Sequence, residues 1–405
     1  MAVQVSGWVA EGFEAVRAAF EENFQYRNEI GAACAVCHKG QPVVDLWGGW
    51  RDPKARAPWV EDTLVLVFST TKGMASLPVA VAQSRCLYDY DESVATYWPD
   101  FAQEGNGDVT VRQLLCHQAG LSAIDEPMDL DLLGNPDRVA AAIAKQAPAW
   151  EPGRRHGYHG ISLGWYESEL VRRVDPQRRT IGRFFADEIA SPLGLEFYIG
   201  LPDDVPDERI AVMQGQWYRT RMLFNLKKQP ADFVRAFLKP GSLTARTFAN
   251  PKVLGQPHRY NDRDLRRVEL PASNGIGQVR AIAKAYGEFA AGGRNLGVDD
   301  ETLAALATPA ALPSEGAMDE VLRLESSFAL GFLKPSTAIQ FGSSHAAYGT
   351  PGAGGSFGYA DPDLELGFGY AMNRMDFYLI DDPRQVALRD AAAACALQVG
   401  GATQL

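Results

Sequence analysis

Residues 63–74 read Thr63-Leu-Val-Leu-Val-Phe68-Ser69-Thr-Thr-Lys72-Gly-Met74, an apolar run that passes without a break into a serine and a lysine. From Met74 to Ala82 the pattern turns helical, with Pro78 still close enough to the helix start to be tolerated. Ser69 is the only serine of the chain with a lysine three residues later. Positions i and i+3 share a helix face, which puts the Lys72 amine within reach of the Ser69 hydroxyl. The unpaired N–H groups and partial positive charge of a helix start favour an oxyanion. With burial, that charge lowers the pKa of the lysine, and a neutral amine takes a serine proton. The alternative for the same two residues is a helix cap at Ser69 and a solvated Lys72.

Working outward, Phe13, Val16, Phe20 and Phe24 recur at helical spacing and predict an amphipathic helix over 8–29. The stretch 32–50, two apolar runs joined at a Lys-Gly turn, predicts a β-hairpin. From about 80 to 264 the chain is punctuated by Pro and Gly, with helices expected over 110–121, 162–174 and 179–195. A further helix spans 277–293 and closes on a glycine pair. Strands return at 326–333, 356–363 and 364–373, the last two meeting at an Asp-Pro-Asp turn, before a closing helix over about 382–398. Neighbouring hairpins imply antiparallel pairing. The expected fold is therefore α/β, an antiparallel sheet flanked by helices, with an inserted all-helical lobe. The discontinuous α/β domain comprises 1–79 and 265–405, and the helical domain 80–264.

A chain of 405 residues with a net charge of −11 offers little to nucleic-acid phosphates, which need clustered Lys and Arg. No apolar stretch approaches the roughly 20 residues that span a bilayer. The N-terminus has no cationic start and no continuous apolar run, so the reading is cytoplasmic, without a signal peptide. The five cysteines suit reduced thiols. Cys34-Ala-Val-Cys37-His38 matches C-x-x-C-H, a haem-attachment pattern. It lies in a strand, however, where residues three apart point to opposite faces. No cofactor and no metal are expected.

Two further segments could carry chemistry. Glu151-Pro-Gly-Arg-Arg-His156-Gly-Tyr158-His159-Gly160 is a structured loop before a helix. Tyr158 needs a cation such as Lys72 beside it to act near neutrality. His156 and His159 read as surface or loop histidines, and His117 as a packed helix-end residue. Tyr348-Gly-Thr350-Pro351-Gly352-Ala353-Gly-Gly-Ser356 is glycine-rich enough to approach a ligand closely. It runs into a strand and lacks the Lys-Ser/Thr pair of a phosphate loop; it suits the edge of a hydrolase site instead. Its G-G-S-F-G string is followed by strand-like residues, whereas a nucleophile elbow needs a helix after the serine.

Five segments, in order, are F-S-T-T-K-G-M at 68–74, V-T-V-R-Q-L-L-C-H-Q-A-G-L at 109–121, E-P-G-R-R-H-G-Y-H-G at 151–160, L-P-A-S-N-G at 270–275 and G-T-P-G-A-G-G-S-F-G-Y-A-D-P at 349–362. Together they resemble the serine β-lactamase and penicillin-binding protein superfamily, and within it the family VIII carboxylesterases, which look like class C β-lactamases. The resemblance implies Ser69 as nucleophile, Lys72 as its activating partner and Tyr158 as the second-motif tyrosine. It implies an oxyanion hole from the backbone N–H groups of Ser69 and Ala353, with His159, Gly160, Thr350 and Gly352 at the substrate. Two departures stand out. Gly160 replaces the Asn of the Tyr-x-Asn motif, and Thr350-Pro351-Gly352 stands where Lys or His is usual. Both remove contacts that a β-lactam or D-Ala peptide would use, so the expectation is a carboxylesterase acting on small-molecule, short-acyl esters. The alternatives are a β-lactamase or D-Ala-type peptidase, an acyltransferase, or a silent binding protein on the same fold.

Overall fold

The computed structural model describes residues 3–215 and 225–402. Gly31–His38 folds back onto Gln41–Asp52 through Lys39 and Gly40, both at positive φ, the turn whose twist suits a hairpin. These strands belong to a nine-stranded sheet among the described residues. Its spatial order is Val5–Val9, Gln41–Asp52, Gly31–His38, Leu366–Met372, Phe357–Asp361, Tyr348–Pro351, Phe332–Lys334 and Ser327–Ala329. All neighbours are antiparallel, and Ala57–Pro58 pairs at the side of Gln41–Asp52.

Every residue of Gly31–His38 is buried because helices cover both faces of the sheet. On one face the helix Val279–Ala290 lies so close to Leu366–Met372 that a Cβ on Gly367 would meet the Gly287 nitrogen at 2.1 Å. On the other, Phe13 just before the first helix, Val16 and Phe20 within it, and Leu388 and Ala392 of the last helix pack with Cys34, Val36, Phe368 and Tyr370. Cys37 packs with the opposite layer, so the Cys34 and Cys37 thiols face different sides.

The sequence expectations need four corrections. The first helix is Glu14–Tyr26, and Val5–Val9 is an edge strand, its backbone paired with Gln41–Asp52. The helix expected over 110–121 is only Val111–Leu115; it stops because His117 turns left-handed at φ 62. The single strand expected over 326–333 is a hairpin, turned by Leu330 and Gly331 at φ 46 and 95. The segment after the helix Thr70–Ser84 is mainly helical but contributes the strand Phe197–Tyr198, which pairs with Ile276–Gly277. Ile276–Gly277 pairs in turn with Val65–Leu66, and this small sheet leads the chain to Ser69. Among the described residues no helix is long and apolar enough to cross a membrane.

Candidate active site

Ser69 stands at the start of the helix Thr70–Ser84, already in helical conformation at φ −65 and ψ −12, with no side-chain cap bond to it. The residue before it, Phe68, is left-handed at φ 48, a conformation that costs a bulky residue about 1–3 kcal/mol. Its surroundings hold it there. Val67 N–H donates to the Gly275 carbonyl at 3.0 Å, the Thr71 hydroxyl donates to the Phe68 carbonyl, and the Phe68 ring packs on Tyr260 at 4.9 Å. The sharp turn projects Ser69 into a cavity of about 400 Å³.

Residues Thr70 to Ala82 are all buried, Lys72 among them at 0% exposure. Its Nζ lies 3.1 Å from Ser69 Oγ and donates to the Ala272 carbonyl at 2.9 Å. Burial lowers the lysine to about 7, with a smaller opposing pull from the Glu167 carboxylate. The amine is therefore largely available as a base at mildly alkaline pH. The solvated-lysine alternative does not fit this site.

Tyr158 stands over the same pair, with Lys72 Nζ 4.8 Å from its ring centroid. Burial pushes its phenol far up, and the bond with Ser69 only partly offsets this. Tyr158 is thus a protonated phenol near neutrality, and the Lys72 amine beside it meets the ring face. Both Asp319 carboxylate oxygens accept the Tyr158 backbone N–H at 3.1 Å, fixing the loop that carries the tyrosine. Asp319 also accepts the N–H groups of Val321 and Leu322. No sequence signal marked Asp319, because its partner lies 161 residues away.

Ser69, Tyr158, Gly160, Thr350, Gly352 and Ala353 line the one cavity, with Lys72 beneath it. His159 does not line it, which corrects its assignment to the substrate. Of the surface-or-loop reading of His156 and His159, the loop part stands and the surface part is corrected, since both lie in the loop before Ser162 and are buried. His159 Nδ1 lies 2.8 Å from the Gly157 carbonyl, and its Nε2 accepts the Leu121 N–H at 3.1 Å. Burial pushes this imidazole down to about 3, so it stays neutral and braces the loop. His117 accepts the His159 backbone N–H at 3.0 Å and reaches the cavity wall.

The backbone N–H groups of Ser69 and Ala353 donate to no other group among the described residues. Arg384, fully buried, donates to the Gly354 carbonyl at 2.6 Å and to Asp382, fixing the loop that carries Ala353. Ser356 is no rival nucleophile. Its hydroxyl is buried, donates to the Val67 carbonyl at 2.8 Å and lies 3.1 Å from Thr70 Oγ1.

The space at Gly160 is already taken. A Cβ there would meet Phe248 Cε1 at 2.7 Å and Thr247 Cγ2 at 3.0 Å. Phe248 belongs to an apolar wall with Phe233, Phe237 and Leu379, so aromatic surface stands where an amide would project. Among the described residues no cluster of His, Cys, Asp or Glu is placed to hold a metal ion.

The beta-lactamase family profile matches residues 16–391. Over 385 residues the chain is 31% identical to the esterase/beta-lactamase LipL of Mycobacterium tuberculosis, an alignment covering 92% of this chain and 83% of that protein. A solved family VIII carboxylesterase superposes at a TM-score of 0.83 and 37% identity, covering 97% of this chain and 100% of the other. A penicillin-binding protein homologue from Caulobacter crescentus superposes at 0.82 and 35% identity, again over 97% and 100%.

Proposed function

Since this chain belongs to the beta-lactamase family, we propose that it is a serine carboxylesterase cleaving short-acyl esters through a covalent acyl-enzyme on Ser69. The observation that carries the reading is a buried lysine amine 3.1 Å from a serine hydroxyl at the edge of an apolar cavity. Ser69 Oγ attacks the ester carbonyl carbon as Lys72 Nζ takes its proton. The developing oxyanion meets the N–H groups of Ser69 and Ala353. The C–O bond to the alcohol then breaks, and the proton returns through Tyr158 to the departing oxygen. In the second half a water follows the same path, releasing the acid and restoring the Ser69 hydroxyl.

The apolar wall at Phe248 and the Thr350-Pro351-Gly352 edge favour esters over β-lactams. Most β-lactams carry a carboxylate beside the ring, and here it would find one threonine hydroxyl and a proline without an N–H. Losing a charge-assisted hydrogen bond costs roughly 1.5–3 kcal/mol, or about 10- to 150-fold in relative kcat/KM. A p-nitrophenyl acetate-to-octanoate series and a chromogenic cephalosporin, compared on one preparation, should show that preference. Cephalosporin turnover equal to or above the best ester would promote the lactamase alternative.

The pH profile follows from Lys72. Its folded pKa is depressed to about 7, so the neutral, proton-accepting form grows as pH rises through that value. The kcat/KM of ester hydrolysis should climb through neutrality and level off in the mildly alkaline range. An optimum below about pH 5 would point to a carboxylate base.

A further inference from the structure

Glu167, one of the most deeply buried acids of the chain, lies behind Lys72 on the side away from the cavity. The helix Ser162–Val174 carries it toward Ser76, one turn after Lys72 on the nucleophile helix. The Ser76 oxygen is 2.7 Å from Glu167 Oε1 and 2.9 Å from the Lys72 carbonyl oxygen. A hydroxyl has one hydrogen, so the Glu167 carboxylate and the Lys72 carbonyl compete for it. Glu167 Oε2 has no hydrogen-bond partner among the described residues. Gly331 seals the pair from the cavity. A Cβ at this left-handed glycine would meet Ser76 Oγ at 2.2 Å and Glu167 Oε1 at 2.9 Å.

The titratable groups that interact electrostatically with Glu167 are Lys72 on the nucleophile helix and Tyr88 beyond its end. Around Lys72 stand Ser69, the Tyr158 ring and His117, the last held neutral chiefly by burial. Burial disfavours either charge alone, whereas an ionised Glu167 and a protonated Lys72 stabilise each other. The two protons therefore come off in steps whose apparent pKa values belong to the pair.

We infer that Glu167 is a positioning residue for the proposed acyl transfer, governing through shared charge the pH at which Lys72 is free to take the Ser69 proton. The inference rests on the Ser69–Lys72 reading of the site. Burial raises Glu167 to about 8, and the Ser76 bond and the Lys72 charge oppose that rise. The sign follows. Once the pair has lost one proton, the remaining proton rests on either group, and the arrangement with Glu167 ionised keeps it on Lys72; removing the carboxyl abolishes that arrangement and frees the amine at lower pH.

Glu167→Gln keeps the shape and the Ser76 contact, and Glu167→Ala removes both; made together, they ensure that one folded variant suffices. The readouts are the pH dependence of Ser69 labelling by a fluorophosphonate and of kcat/KM on p-nitrophenyl acetate. The midpoint of the acid limb should fall by about one unit in both readouts, with Glu167→Asp returning toward the original value. An unchanged midpoint in the folded variants, with Ser69 still labelled, overturns the role of Glu167 alone. If Ser69→Ala keeps activity, the underlying reading falls with it.

Discussion

Ser69→Ala is expected to remove ester hydrolysis by about 10⁴-fold or more and to abolish fluorophosphonate labelling, while the fold survives. The loss is large because the hydroxyl is the atom that bonds the acyl group, and no nearby group can replace it. Ser356 follows the loop that lines the cavity, but it is buried and its hydroxyl is committed to the Val67 carbonyl. The fold should survive because Ser69 makes no side-chain cap to its helix. What positions it, the Phe68 turn and the Val67–Gly275 bond, lies in the backbone. Melting temperature and labelling, measured on the same sample, check both halves. Wild-type turnover in the variant, or a label found on Ser356, would overturn the assignment.

The two halves of this machinery were unequally legible in the sequence. Ser69 and Lys72 sit three residues apart on one helix, so their meeting is a local consequence of helical periodicity. Tyr158 is distant in sequence, and only the ordered set of motifs connected it to them. Asp319, Glu167 and Phe248 carry no pattern at all. Each matters through a contact formed by tertiary packing, as Glu167 does with Ser76, 91 residues earlier. The histidines misled for a related reason. A glycine-rich loop suggests solvent, yet the His159 ring is held on both nitrogens by backbone groups. The same logic explains the missed elements. Val5–Val9 becomes a strand only because Gln41–Asp52 offers it an unpaired edge. The apolar stretch at 326–333 hid a turn because Leu330 is an unusual residue to hold at positive φ.

Lys72→Ala and Tyr158→Phe should each lower kcat by at least ~100-fold, the usual scale for a positioned acid or base. The two side chains meet at one hydroxyl, Lys72 through its amine and Tyr158 through its phenol. They would thus serve successive stages of a single proton path, in which Lys72 takes the Ser69 proton and Tyr158 passes it to the leaving oxygen. Interrupting a path twice costs little more than interrupting it once, so the double variant should be little slower than the worse single one. The buried phenol is held protonated, so it cannot substitute for the amine as the base near neutrality. Lys72→Ala should therefore lose the rise in activity around pH 7, whereas Tyr158→Phe should keep that rise at a reduced level. Full additivity of the two losses, or a Lys72→Ala profile that still climbs through pH 7, would separate the residues into independent roles and refute the shared path.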